Sequence, residues 1–418
     1  MATPHEDDPV MLTLAALTYR GFQDALPGDP HDFIVRRAIQ DGLDNFAPVQ
    51  KQWELVWGPV TSRLPIAVFD SNAMYVVQSV AAPNRYVVAI RGTNPIASTD
   101  WLFGDLLVDT TVRWPYGDDD AAVSGSTALG LEMLQDMRWR VRSIDRRGAH
   151  VSQIGSAIDN LILAGRARLS GVNPACAAGL SSIEAQVGKI VQHWQDIDAD
   201  RSSLAATLRA LCPTPEEIRP KLLPAAARTE AVDLMTFLAM RASRNPTSPL
   251  EVIVTGHSKG GALAPAVALW LKEALHSGKD DERWDPARSA VVRCHAFAGP
   301  TPGNEAFAAR IDRVLGADHH HLRNMHDVVT HAWQTDELRQ IPALYGARTA
   351  PFGALIERLA AGIGPLNYRQ AQRGVVAFSG KLDAAARSFP REFVHQHLDA
   401  YLEELRLAPG LNALKFFI

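Results

Sequence analysis

The stretch VIVTGHSKGGALA, residues 252–264, constrains the fold of this chain more than any other. An apolar run typical of a buried strand is followed by Gly-His-Ser-Lys-Gly, and then by small and apolar residues that suit a helix. A sharp turn from strand to helix at this point exposes the central Ser258 above the sheet. Side chains two positions before and after the serine would collide with neighbouring backbone, which explains Gly256 and Gly260.

This G-x-S-x-G turn, which has His257 as its second residue, indicates a nucleophilic serine. The turn places the Ser258 hydroxyl at a helix N-terminus, where free N–H groups and the helix dipole favour negative charge. The backbone N–H of Lys259 points to where an oxyanion forms in acyl transfer. A serine hydroxyl is a poor nucleophile at neutral pH, so it needs a general base and an acid that orients the base.

Other strand-like runs alternate with helical patterns along the chain. Residues 65–93 predict strands around a turn at 82–84, and their continuous β-rich part is typical of a buried strand. The run 290–299 and a run within 319–329 predict further strands, and 262–275 predicts a helix. Strands and helices that alternate in this way predict a layered α/β domain.

Two segments interrupt this alternation. Residues 138–228 repeat apolar side chains at helical spacing and contain no strand-like run, so we predict a helical insertion that could cap a site. Residues 331–372 are rich in Pro, Gly and Ala and carry a short helical stripe near 355–359, which predicts a second, loop-rich insertion. We expect both insertions to belong to a single domain that spans residues 1–418.

The acid is expected after the serine in the chain, and the histidine after the acid. Asp327 is our candidate, because it follows a predicted strand and begins a loop from which its carboxylate could reach the top of the sheet. Asp312, Asp318 and Asp336 are rivals. Asp312 falls on a helical pattern and Asp318 precedes the strand, so both are poorly placed.

The base is expected at the start of the last predicted helix. An apolar stripe defines that helix, made of Leu398, Tyr401, Leu402 and Leu405. His395 and His397 both lie at its beginning, and either could stand on a loop above the sheet. We favour His397 as the base and keep His395 as the alternate.

The composition excludes several classes of protein. With 47% hydrophobic and 21% charged residues, the chain has the composition of an ordinary globular protein. A net charge of −4 argues against a nucleic-acid partner. The sequence lacks the run of about 20 apolar residues that a transmembrane segment needs, and its N-terminus lacks the basic region of a secretory signal. We expect a cytoplasmic protein by default, with leaderless secretion left open.

Cysteine and histidine placement favours neither a disulfide framework nor a metal site. Cys176, Cys212 and Cys294 lie far apart, and their odd number would leave one without a disulfide partner. We therefore expect small buried thiols. His319 and His321 share one face of a predicted strand, but no Asp, Glu or Cys is spaced to bind a metal with them. We therefore predict no metal and no cofactor.

Four stretches together resemble the class 3, or fungal-type, triacylglycerol lipases. They are VVAIRGTNPIASTDWLFGDL (87–106), VIVTGHSKGGALA (252–264), HAFAGPTPGNEAFA (295–308), and the pair HDVV and HLDAYL that begin at His326 and His397. The resemblance implies an α/β-hydrolase fold, with a mostly parallel central sheet and helices on both faces, to which the residue pattern adds the helical insertion. It implies a serine carboxylic ester hydrolase that acts on lipid esters.

The resemblance also assigns roles to residues. It makes Ser258 the nucleophile, Asp327 the acid and His397 the base. It makes the Thr93 N–H the second oxyanion donor beside that of Lys259, and each donor is worth roughly 3 kcal/mol in the transition state. It places a mobile lid at about 94–108, with apolar residues that could meet a lipid surface: Trp101, Leu102, Phe103, Leu106 and Leu107.

Two departures from the family bear on these roles. Lys259 stands where the family usually has Leu or Gln, so its side chain could alter the pocket although its N–H still serves. The 138–228 insertion is absent from the compact fungal enzymes, and it could cover the site in place of the 94–108 lid. Phospholipase A1 or acyltransferase activity would use the same residues, and a catalytically silent lipid-binding protein or a peptidase are further alternatives. Oligomeric state is left open.

Overall fold

The computed structural model describes residues 4–21, 31–62, 72–92, 108–117, 119–140, 231–244, 248–277, 283–386 and 388–407. The chain divides into two compact units, of which the first contains residues 1–60, 72–139 and 232–418. The second contains 61–71 and 140–231. The predicted helical insertion at 138–228 therefore falls almost wholly in the second unit, and its residues from 141 onward lie outside the described ranges.

The elements are numbered along the described chain. The strands are β1 (Trp53–Ser62), β2 (Asn72–Ser79), β3 (Arg85–Ile90), β4 (Thr111–Arg113), β5 (Ala122–Ser124), β6 (Trp139–Arg140), β7 (Ala231–Val232), β8 (Glu251–His257), β9 (Val291–Phe297), β10 (His319–Asn324) and β11 (Val375–Phe378). The α-helices are α1 (Asp8–Leu17), α2 (His31–Asn45), α3 (Gly125–Gln135), α4 (Leu234–Arg244), α5 (Lys259–Leu275), α6 (Glu305–Val314), α7 (Thr335–Leu338), α8 (Ile341–Leu344), α9 (Gly353–Ile363), α10 (Phe389–Val394) and α11 (Ala400–Glu404).

The main sheet has the strand order β1-β2-β3-β8-β9-β10-β11 among the described residues. Strands β3, β8, β9, β10 and β11 run parallel to one another, and β2 pairs antiparallel with β3. Parallel strands are covered on both faces, which is why β3 and β8 contain continuous apolar runs, whereas β10 reads HHHLRN. The predicted mostly parallel α/β sheet is therefore confirmed.

Alternate residues of β8 enter two different cores, one on each face of the sheet. Val252 and Val254 pack with α5 and its neighbours in one core. Ile253 lies in the other core, together with apolar residues of α1 and of the last helices. This alternation follows from the twofold side-chain period of a strand. The loops that follow the parallel strands meet at the carboxyl edge of the sheet.

The segment 331–372, which we expected to be loop-rich, consists of short helices joined by turns. It contains α7, α8, α9 and several 3₁₀ turns. Its apolar residues, among them Trp333, Ile341, Tyr345 and Ile356, form most of a third core cluster, to which Val328 just before the segment also belongs.

Cys294 is a free, fully buried thiol on β9, and burial raises its pKa. Cys176 and Cys212 lie outside the described residues. None of the described helices combines the length and apolarity needed to cross a membrane.

Candidate active site

Ser258 occupies the turn between β8 and α5, in a backbone conformation that residues other than glycine rarely adopt. Its φ is 62° and its ψ is −129°, and positive φ is costly for a residue other than glycine. The turn is held on both sides, because the Ser258 N–H donates to the Phe297 carbonyl at 3.0 Å and the Ser258 carbonyl accepts from Gly261 N at 2.8 Å. The serine is thus presented above the carboxyl edge of the sheet by a strained and firmly anchored turn.

The two glycines that flank the serine are required by close backbone approach. A Cβ on Gly256 would overlap the Gly260 carbonyl, and a Cβ on Gly260 would lie 2.5 Å from the Ile90 carbonyl oxygen. The second contact shows that the end of β3 packs directly against the turn. The glycines therefore let β8, α5 and β3 come together at Ser258.

Asp327 and His397 are brought together at the same edge of the sheet. Asp327 lies just after β10, at the start of the 3₁₀ turn Val328–His331, and is fully buried. His397 lies in a π-helical turn, His395–Asp399, between α10 and α11. The His397 Nδ1 is 2.8 Å from Asp327 Oδ2. With Nδ1 donating to the carboxylate, Nε2 is left as the proton acceptor that a general base requires.

Two further donors hold the Asp327 carboxylate in place. The Tyr401 hydroxyl donates to Oδ2 at 3.1 Å, and the Val329 N–H donates to Oδ1 at 2.9 Å. The Tyr401 oxygen itself accepts the Asn324 N–H at 3.0 Å. Burial, together with the neighbouring Asp327 carboxylate, raises the pKa of Tyr401 well above its ordinary value, so the hydroxyl remains a donor. Sequence reasoning identified Tyr401 only as part of an apolar stripe.

His257 supports the backbone of His397. Their rings are 4.7 Å apart, and His257 Nε2 lies 2.9 Å from the His397 carbonyl oxygen. Burial lowers the pKa of His257 well below its ordinary value, so its ring is neutral and can donate from Nε2. Tyr19, just after α1, donates its hydroxyl to the His257 carbonyl at 3.1 Å. The second residue of the G-x-S-x-G motif thus has a positioning role that the motif does not reveal.

The alternate base, His395, points elsewhere. Its Nε2 lies 3.0 Å from the Lys381 carbonyl oxygen, and its Nδ1 lies 3.8 Å from Asp399 Oδ2. The Asp399 carboxylate raises the pKa of His395 to about 9, so this ring is protonated at neutral pH. A protonated imidazole has no free electron pair to accept the Ser258 proton, so these contacts favour His397 as the base.

The rival acids also have other partners. Asp312 accepts the backbone N–H groups of Gln372 and Arg373. Asp318 forms ion pairs that span 3.6 Å to Lys272 and 3.5 Å to Arg293. Asp336 lies in the first turn of α7. Of the four candidate acids, Asp327 is the one that contacts a candidate base.

The segment that should carry the second oxyanion donor is described only up to Gly92. A Cβ on Gly92 would lie 3.0 Å from the Ser258 Cβ, so the chain leaves β3 alongside the serine. Thr93 and the lid residues Trp101, Leu102, Phe103, Leu106 and Leu107 lie outside the described residues. The N–H of Lys259, by contrast, belongs to the first residue of α5.

A small pocket lies beside Lys259, one residue from the serine. Its lining combines polar and apolar residues: Ser124, Ser126, Thr127, Lys259, Ala262, Leu263, Pro300, Thr301 and Trp333. Trp333 has a φ of 82°, which is unusual for a bulky residue and occurs where surrounding structure enforces it. Within the described part of the chain, the His and Asp groups spaced to hold a metal ion lie at the start of α1 and not here.

Comparisons with known proteins give a family for part of the chain and a fold for the whole. Residues 231–337 match the family model "Lipase (class 3)". That segment includes Ser258 and Asp327, whereas His397 lies beyond it. A search of curated protein sequences found no match.

Solved structures resemble this chain over most of its length. The structure of M37 lipase has 23% sequence identity and a TM-score of 0.67, and the match covers 96% of this chain and 93% of that one. Lipase II from Rhizopus niveus has 13% identity and a TM-score of 0.39, with coverage of 79% and 76%. The chain therefore has the α/β-hydrolase fold, and its residues 231–337 match the class 3 lipase family.

Proposed function

We propose that the protein is a serine carboxylic ester hydrolase that cleaves lipid esters. Ser258 is the nucleophile, His397 the general base and Asp327 the residue that orients the base. One observation carries the assignment: the 2.8 Å contact between His397 Nδ1 and the buried Asp327 carboxylate, at the edge where the strained turn presents Ser258. The class 3 lipase match over 231–337 supports lipid esters as the substrate class.

In the first half of the proposed reaction, Ser258 Oγ attacks the ester carbonyl carbon while His397 Nε2 takes the hydroxyl proton. The carbonyl oxygen becomes an oxyanion, which the N–H groups of Lys259 and Thr93 stabilise. His397 then gives its proton to the leaving alcohol as the C–O bond breaks. The acyl group remains on Ser258.

In the second half, His397 takes a proton from a water molecule, and the resulting hydroxide attacks the acyl carbon. A second oxyanion forms and collapses, and the proton passes from His397 to Ser258 as the carboxylic acid leaves. The buried Asp327 carboxylate stabilises the imidazolium in both halves because His397 Nδ1 stays bonded to it.

Phospholipase A1 and acyltransferase reactions would use the same three residues and differ only in the substrate or the acceptor. Transient contact with a lipid surface is part of the proposal, through a cover made by 94–108 or by 138–228. Most of both segments lies outside the described residues.

The test combines active-site labelling with ester turnover. A fluorophosphonate should label wild-type protein and the Ser243→Ala control, whose serine is exposed on α4, but not Ser258→Ala. A series of p-nitrophenyl esters of increasing chain length, measured below and above the aggregation limit, should be hydrolysed by the same two proteins.

Equal labelling of Ser258→Ala, or no labelling of wild type, would refute the proposed ester hydrolase activity. The alternative of a catalytically silent lipid-binding protein would then remain. Amide hydrolysis as fast as ester hydrolysis would instead indicate a peptidase.

A further inference from the structure

A second group of histidines and aspartates lies on the α1 side of the sheet. Asp8, the first residue of α1, is fully buried and has one imidazole nitrogen against each carboxylate oxygen. Its Oδ1 lies 3.1 Å from His295 Nδ1, and its Oδ2 lies 2.8 Å from His320 Nε2. His295 and His320 are register partners on the adjacent parallel strands β9 and β10. Their side chains therefore leave the sheet side by side on the face that α1 covers.

A third imidazole approaches this pair from the residues before α1. The His5 ring is 4.9 Å from the His295 ring and 5.6 Å from the His320 ring. The backbone N–H of His5 also donates to Asp8 Oδ2 at 2.8 Å, which fixes the backbone of His5 beside the carboxylate. Candidate ligand atoms of Asp8, His295 and His320 all lie within 4.8 Å of one another, and so do those of His5, Asp7 and His295.

We propose that Asp8, His295 and His320 bind a zinc ion, with His5 as the fourth ligand. Two or three imidazoles with one carboxylate are the nitrogen and oxygen donors that zinc takes in tetrahedral sites. Zinc–ligand bonds of roughly 2.0–2.2 Å place neighbouring ligand atoms about 3.3 Å apart in such a site. The observed separations of 2.8 and 3.1 Å need only a small outward shift to reach that spacing.

The position of α1 gives such a zinc ion a structural role distinct from the serine site. The helix is held along its length by buried hydrogen bonds, from Thr255 Oγ1 to the Met11 carbonyl and from the Tyr75 hydroxyl to the Leu14 carbonyl. After the helix comes Tyr19, which bonds to His257 in the serine turn. A zinc ion at Asp8 would fix the other end of the same helix to β9 and β10. This inference does not depend on the proposed ester hydrolysis.

The experiment measures zinc binding and thermal stability of the full chain. After treatment with a chelator and dialysis, zinc sulfate is titrated, bound zinc is counted by mass spectrometry, and Tm is measured by calorimetry. We expect one zinc per chain and a Tm that rises with zinc concentration, because a ligand that binds the folded state stabilises it.

Three variants locate the bound metal. His320→Gln should weaken zinc binding by more than about tenfold and remove the zinc-dependent rise in Tm. His5→Ala changes a half-exposed residue that should not be needed for folding, and it should weaken binding while leaving the circular dichroism spectrum intact. His276→Ala, at an exposed position after α5, is the matched control and should bind zinc like wild type.

Absence of bound zinc in the wild-type protein at micromolar concentrations would overturn the inference. Zinc binding that His320→Gln and His5→Ala leave unchanged, or that His276→Ala weakens equally, would place the metal elsewhere and would also overturn it. Loss of zinc binding in folded His5→Ala supports the inference even if His320→Gln does not fold.

Discussion

Two buried aspartates in this protein each hold a histidine at 2.8 Å, and their surroundings give them different chemistry. Asp327 accepts one imidazole, a tyrosine hydroxyl and a backbone N–H, so one ring is oriented and keeps its second nitrogen for a substrate proton. Asp8 instead faces two imidazoles, one at each oxygen. The same pair of residue types thus makes an acid–base partner in one place and a candidate set of metal ligands in the other.

Position in the fold separates the two aspartates as well. Asp327 follows the carboxyl end of β10, where loops can deliver a substrate, whereas Asp8 lies on a sheet face that α1 covers. The Asp327 group should therefore control turnover, and the Asp8 group should control stability.

The largest effect is expected for the base. His397→Ala should lower kcat for a p-nitrophenyl ester by roughly 10⁴-fold or more, because it removes the proposed acceptor of the Ser258 proton. His395→Ala, two residues away in the same π-helical turn, should retain most of the activity. The opposite pattern in steady-state kinetics would move the base to His395.

The two aspartates should respond differently to the same substitution. Asp327→Asn should lower kcat by about 10³–10⁴-fold, because an amide favours the wrong tautomer of His397. Asp8→Asn should act mainly on stability, with a loss of about 1–3 kcal/mol in unfolding free energy from a poorly matched buried hydrogen bond. Kinetics and urea unfolding of both variants test this contrast, and equal losses of kcat would contradict it.

A smaller effect is expected for removal of the Tyr401 hydroxyl. This hydroxyl donates to Asp327 and has no counterpart among the described contacts of Asp8. Tyr401→Phe removes the hydroxyl that bonds Asp327 and leaves the buried Asn324 N–H without its acceptor. We expect a loss of about 1–3 kcal/mol in unfolding free energy and about a tenfold lower kcat from a less firmly oriented His397. The control is Tyr345→Phe, whose hydroxyl donates to the His326 carbonyl and does not bond Asp327; an equal loss of kcat there would argue against the positioning role.

The smallest effect is a pH dependence at His395, which pairs with a third aspartate, Asp399. Its pKa is raised to about 9 in the folded protein, by Asp399 first and with Glu403 contributing. The stabilisation is therefore complete below the unfolded value of about 6.5 and is lost as pH rises through about 9. The unfolding free energy of wild type should fall over this interval by more than that of His395→Ala. Parallel curves for the two proteins would show that the interaction is not stabilising.

The serine turn and the α/β sheet could be predicted from the sequence because their signals are local. Gly256, Ser258 and Gly260 lie within five consecutive residues, and strands such as β3 and β8 contain continuous apolar runs. The choice between His395 and His397 was harder, since both lie in one turn and its π-helical geometry decides which ring meets Asp327. The contributions of Tyr401 and His257 could not be predicted, because they depend on contacts across more than 70 residues.

The Asp8 group was missed for a related reason. Sequence reasoning paired His319 with His321, which face the opposite side of β10 from His320 and α1. The carboxylate that meets His320 is 312 residues away in the chain, so no spacing rule could find it. Thr93, the lid at 94–108, the insertion at 138–228 and a cytoplasmic location all stay predictions.

The contacts of α1 also have a consequence for the order of events during synthesis. The helix is made before the strands that it contacts, and Asp8 meets His320 only after another 312 residues have been made. At about 5–20 residues per second this takes roughly 15–60 s. Throughout that interval the Asp8 end of the helix lacks its contact with His320, although Tyr75, which bonds the Leu14 carbonyl, is made much earlier. Until the later strands are made, part of the helix's apolar face is the kind of transiently exposed surface that chaperones bind.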